Sequence, residues 1–93
     1  MDFKYEFDPI KAEQNFKKHG VSFDIAQDFD WENANVGEDD RNAYTEKRFE
    51  AISFIDKRLY VMIFCMRLGK VRIISLRKAN RREIRSYHEN TQF

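Results

Sequence analysis

The amino-acid sequence predicts a single α+β domain. An antiparallel sheet, made of an N-terminal strand and a three-strand meander, packs with two N-terminal helices and one C-terminal helix. Three observations carry this reading. Residues 48–78 hold three apolar segments of strand length, separated only by short stretches around Asp56-Lys57 and at Leu68-Gly69. Connections that short join antiparallel neighbours. Helix start and stop signals bracket residues 9–19 and reopen at Asn80. A chain of 93 residues is long enough for one hydrophobic core and too short for two.

The elements follow in order. Asp2–Phe7 alternates loosely with three aromatic residues and reads as a strand. Asp8-Pro9 is an N-cap followed by proline at the first helical position, so a helix starts there. Gly20 ends it, with Lys17, Lys18 and His19 in the last turn, where cations complement the helix dipole. A second short helix starts at Ser22, with either Phe23, Ala26 and Phe29 or Ile25 and Phe29 at helical spacing. Trp31–Tyr44 is polar and acidic and reads as a loop with at most one short strand. The meander comprises Arg48–Ile55, Leu59–Arg67 and Lys70–Lys78. Asn80 then caps a last helix, with Glu83 at the third position of a capping box and Ile84, Tyr87 and His88 facing inward.

Several function classes are excluded by composition. The longest apolar run, Leu59–Met66, is far short of the roughly 20 residues that a membrane-spanning helix needs. The acidic, aromatic N-terminus is no signal peptide. The one cysteine, Cys65, rules out an internal disulfide and fits a reducing compartment, so a cytoplasmic location is expected. Within an apolar strand it reads as a small buried hydrophobe.

The formal net charge of +1 conceals a strong asymmetry. From Lys57 onward there are ten Lys and Arg against two acids; before it, seven against fourteen. The stretch Arg67–Tyr87 places arginines inside an apolar strand and continues them onto a helix. Arginine in a strand core is costly unless an anion satisfies it. Either a polyanion binds this surface or each arginine pairs with an acid of the N-terminal half. Strand alternation places Arg72 and Arg77 on opposite faces unless a bulge intervenes. If Leu68-Gly69 is a two-residue turn, a core under the helices gathers Tyr60, Met62, Phe64, Met66, Val71 and Ile73; a three-residue turn with Gly69 at the left-handed position would shift the register by one and change this partition.

No HxH, HExxH or CxxC pattern and no glycine-rich phosphate loop is present, so no metal or cofactor is expected. Basic residues, a few acids and His19 remain. That inventory suits metal-free phosphodiester chemistry, in which the 2′-OH of RNA attacks the adjacent phosphate and cationic side chains hold the developing charge.

Two separated segments resemble a known family. Phe7–Phe23, FDPIKAEQNFKKHGVSF, is close to an Asp-x-x-Lys…Asn-x-x-Lys-His-Gly-hydrophobic-x-Phe pattern. Val71–Tyr87, VRIISLRKANRREIRSY, is like Arg-Ile-Ile-Ser-x-Arg-x-Ala…Glu…Tyr, and Glu46-Lys47-Arg48 resembles a Glu-x-Arg between them. These are patterns of the BrnT toxins of bacterial type II toxin–antitoxin systems. The resemblance implies a RelE-like fold and a metal-independent endoribonuclease that inhibits translation and growth. It also implies a BrnA-type antitoxin with a ribbon-helix-helix domain. Promoter DNA would be met only through the toxin–antitoxin complex.

The catalytic candidates are Arg72, Arg77, Glu46, Arg48 and His19, with Glu50 a weaker alternative base. Lys18, Arg67, Lys78, Arg81, Arg82 and Arg85 are expected to bind RNA. Tyr87 matches the motif but has helical spacing from Ile84, as a core residue would. Asp8 and Asn15 read as capping and packing residues. The alternative is an antitoxin-bound corepressor or binding module with little or no nuclease activity.

Overall fold

The computed structural model describes residues 3–41 and 45–91. Asp2 and the segment 42–44, which the strand and loop expectations included, lie outside them. Five strands are present: β1 (Tyr5–Glu6), β2 (Asn35–Asp39), β3 (Arg48–Ile55), β4 (Arg58–Arg67) and β5 (Lys70–Lys78). Two α-helices, α1 (Pro9–His19) and α2 (Arg81–Thr91), and two 3₁₀ segments, Phe23–Asp28 and Trp31–Asn33, flank them. The strands form one sheet in the order β1-β5-β4-β3-β2.

The sheet is mixed, which corrects the purely antiparallel expectation. β2 to β5 pair antiparallel, but β1 lies parallel to β5. The chain leaves β1 through α1, crosses to the far edge and meanders back, so β5 arrives beside β1 pointing the same way. The far edge strand, β2, comes from the acidic segment expected to be mostly loop.

Local signals act as their chemistry dictates. The Asp8 carboxylate accepts from the Ile10 amide at 2.9 Å, and Gly20, at φ 71°, donates to the Phe16 carbonyl at 2.8 Å. Ser22 caps the next segment, which is 3₁₀ rather than α. Phe23, Ala26 and Phe29 recur every third residue and all three are buried, which matches the three-residue turn of a 3₁₀ helix. Leu68-Gly69 forms a two-residue turn between the partners Arg67 and Lys70, with φ of 53° and 76°.

Apolar layers cover both faces of the sheet. On one face Val21, Phe23, Ala26 and Phe29 pack on Ala51, Met62, Phe64, Val71, Ile73 and Leu76. On the other, Ile84 and Tyr87 of α2 pack on Leu59, Val61 and Ile63. The expected core strip is thus only partly buried: Met66 is 45% exposed and Tyr60 half-buried, because the helices cover the middle of β4 and not its ends. His88 is exposed rather than inward, since Ile84 and Tyr87 already fill the contact.

Two irregularities of β5 set the site. First, Ile63 faces Ser75 and Phe64 faces Ile73, so Ile74 is an unmatched extra residue, a β-bulge. Second, β1 covers β5 only at Val71 and Arg72. Beyond that point α1 runs along the sheet edge, and the buried Asn15 side chain takes the place of a strand. Its amide nitrogen donates to the carbonyls of Leu76 (2.8 Å) and Val21 (3.1 Å), and its oxygen accepts from the Leu76 amide (3.1 Å).

Candidate active site

The bulge brings Arg72 and Arg77 to one face. Arg77 is abreast of Val61 and Arg72 abreast of Cys65, and these partners are four residues apart on β4. Residues separated by an even number on a regular strand share a face. This is the exception that the alternation expectation allowed for: the extra residue Ile74 restores the phase that alternation alone would lose.

One polar row crosses the whole sheet on that face. Asp39 of β2 pairs with Arg48 of β3, Cys65 of β4 pairs with Arg72 of β5, and Arg72 pairs with Glu6 of β1. Continuing the Phe49–Phe64 register by one residue sets Arg48 beside Cys65. Beside this row lies a cleft of about 350 Å³, lined by Lys11, Glu46, Arg48, Cys65, Arg67 and Arg72 among others. α2 covers the other end of the same face and leaves this end open.

The ionic partners differ in strength. Arg72 faces Glu6 at 3.7 Å, with side chains 28% and 32% exposed. Such a long, partly solvated pair contributes little, about 0–1 kcal/mol. Arg67 pairs with Glu46. The Arg67 hydrogen bond is the main reason the Glu46 carboxyl lies below its ordinary pKa, with the Cys65 thiol and the Arg72 charge contributing. Burial, then the Glu46 charge, push the Cys65 thiol up, so it stays protonated and is no nucleophile.

Arg77 is occupied differently. Both of its terminal nitrogens donate to the Glu83 carboxylate at 2.7 Å. The same carboxylate accepts from the Asn80 amide at 2.9 Å, while the Asn80 side chain accepts from the Glu83 amide at 2.8 Å. The capping box expected at Asn80 is complete, and Arg77 ties it to the sheet.

This clamp has a testable pH dependence. The Arg77 hydrogen bonds hold Glu83 below its ordinary pKa. A folded-state pKa below the unfolded value stabilises at pH above the unfolded value, roughly 4.3, and that gain is lost as pH falls through the folded value. Glu83→Gln is expected to cost about 1.5–3 kcal/mol at pH 7, as for hydrogen bonds to a charged group. The gap from wild type should close in acid. Urea unfolding of both proteins at pH 7 and pH 3 measures it; a gap that is constant with pH would reject the clamp.

The remaining candidates separate from the cleft. Lys11 and His19 stand eight residues apart on α1, about 12 Å along the helix axis. His19 lies near Lys18 and Arg77. Burial first, then those two positive charges, keep its pKa below the ordinary imidazole value. Arg81, Arg82 and Arg85 are exposed on α2, and Lys78 is exposed at the end of β5. Tyr87 is buried, and its hydroxyl donates to the Asn33 carbonyl at 2.7 Å, a packing role.

Two basic residues near this face were not singled out from the sequence. Lys11 lines the cleft; its place in the Asp8–Lys11 motif was the available signal. Arg41 grips the buried Asp39 through two nitrogens at 2.8 and 3.1 Å. Nothing local in its acidic surroundings marks it.

The structure is a small α+β domain with a cationic cleft at one open end of a sheet face and a basic helix over the other end. The family model described as the ribonuclease toxin BrnT of type II toxin–antitoxin systems matches residues 7–83 of the 93. The chain belongs to that family. No individually curated protein matches it. Among the described residues no group of three or more His, Cys, Asp or Glu is placed to hold a metal ion, and no helix is long and apolar enough to cross a membrane.

Proposed function

We propose that the chain is a metal-independent endoribonuclease acting in the cleft around Arg72, and that a BrnA-type ribbon-helix-helix antitoxin neutralises it. The observation that carries this reading is that Lys11, Arg48, Arg67 and Arg72 line one cleft together with the carboxylate Glu46. Arg72 and Arg48 flank Cys65 and hold the scissile phosphate from both sides. A phosphate reaching Arg67 draws that guanidinium from Glu46. The freed carboxylate becomes more basic and accepts the proton of the 2′-OH. The 2′-oxygen then bonds to phosphorus as the bond to the 5′-oxygen breaks, and water protonates the leaving oxygen. Arg81, Arg82 and Arg85 follow the flanking backbone. Arg77 serves this reaction by seating α2. Cleavage of cellular RNA stops translation and growth, and promoter DNA is met only through the antitoxin complex.

Purified protein is expected to cleave single-stranded RNA equally well with EDTA present, leaving 2′,3′-cyclic phosphate or 3′-phosphate ends. Activity lost to EDTA and restored by magnesium, or 3′-hydroxyl products, would overturn the mechanism. Soluble protein with no cleavage and no effect on bacterial growth would favour the binding-module reading.

A further inference from the structure

β2 is the far edge of the sheet, and among the described residues no backbone hydrogen bond reaches it from outside. An edge strand presents unpaired N–H and C=O groups to any extended chain. Val36, at 52% exposure, lies open on it. Beside it is a groove of about 220 Å³ between the sheet and α2, with Gly37 and Glu50 on one wall and Ser86 and Asn90 on the other.

Gly37 and Glu50 are directly paired across β2 and β3. A Cβ added at Gly37 would meet nothing within 4 Å, so the space above it is open. The Glu50 side chain is half-buried and makes no hydrogen bond or ion pair among the described residues. Its charge acts on Arg77, which lies on the same face of the sheet. A strand added outside β2 would stand two strand spacings from Glu50, about 10 Å. Only a long basic side chain passing over the glycine closes that gap.

Charge selects the occupant. Residues 30–40 carry Asp30, Glu32, Glu38, Asp39 and Asp40 and no basic residue. A second copy pairing edge to edge would set acids against acids, whereas a basic strand is complementary. Membership of a toxin–antitoxin family supplies a partner protein.

We infer that the outer edge of β2 receives an extended basic segment of the antitoxin, which adds a strand to the sheet and lays an arginine or lysine across Gly37 onto Glu50. The inference rests on the family reading only for the partner's existence; it does not depend on the cleft or its chemistry.

The probes are nine-residue peptides of alternating Thr and Val with Arg, Ala or Glu at the centre, titrated into isotope-labelled protein. The Arg peptide is expected to shift the backbone amides of Asn35–Asp39 and to bind roughly two- to fivefold more tightly than the Ala peptide, with the Glu peptide weakest. Glu50→Gln should equalise Arg and Ala. Gly37→Val, whose side chain meets open space on an ordinary strand backbone, should do the same while RNA cleavage is unchanged. No shift in β2 at millimolar peptide, shifts centred elsewhere, or no preference for Arg overturns the inference. So do β2 shifts that grow with protein concentration alone, which would assign the edge to a second copy. Because Gly37 lies outside the cleft, failure of peptide binding and failure of RNA cleavage are separate results.

Discussion

Arg72→Ala is expected to slow RNA cleavage by about a hundredfold or more while leaving the protein folded. The rate effect follows from the proposed role. Removing one preorganised donor to a developing negative charge costs on the order of 2–4 kcal/mol of barrier. The stability effect is small because, among the described residues, Arg72 has a single ion pair, the 3.7 Å contact to Glu6. Arg72→Lys should recover only part of the rate, since the two-pronged guanidinium geometry is lost. Arg77→Ala should behave in the opposite way. Its guanidinium is already engaged with Glu83, so its loss should appear first as a lower melting temperature. Thermal melts and cleavage assays on the same variants decide the matter. An Arg72→Ala protein that is folded and fully active would reject the cleft as the reaction site.

Asn15→Ala is expected to produce the largest loss of stability. The substitution strands the Leu76 amide, the Leu76 carbonyl and the Val21 carbonyl in a buried setting. Each unsatisfied group costs about 1–3 kcal/mol, so a total of roughly 3–5 kcal/mol is expected after partial relaxation. Domains of this size owe their folding to only about 5–15 kcal/mol. A melting temperature lower by about 15–30 °C should result. Asp8→Ala on the same helix removes one cap and should cost only about 1 kcal/mol. Urea denaturation of both variants provides the test; equal losses would mean that Asn15 is no more than an ordinary helix residue.

These two expectations separate roles that the sequence presents alike. Asn15 and Arg72 both lie in motif segments, yet one completes a sheet edge and the other lines a cleft. The Asn15 contacts span 61 residues of chain, so no window around it reveals them. Arg72 and Arg77 stood together as mid-strand arginines with no local excuse. Glu83 was visible as a capping residue, but its second engagement, with Arg77, depends on how α2 meets the sheet.

By itself the sequence determined the local elements: the cap at Asp8, the stop at Gly20, three strands broken by two-residue turns, and the Asn80–Glu83 box. Each depends on backbone preferences and hydrogen bonds within a few residues, which composition and spacing record. It also determined the family, through motifs at both ends of the chain. Only the tertiary structure decided that β1 runs parallel to β5, that an acidic stretch supplies the far edge strand, and that helices cover both faces. Above all it decided which arginines share a surface. One extra residue at Ile74 reverses the phase of everything after it, and a bulge is a compromise between two strands, settled by the register of β4 rather than by the residues of β5 alone.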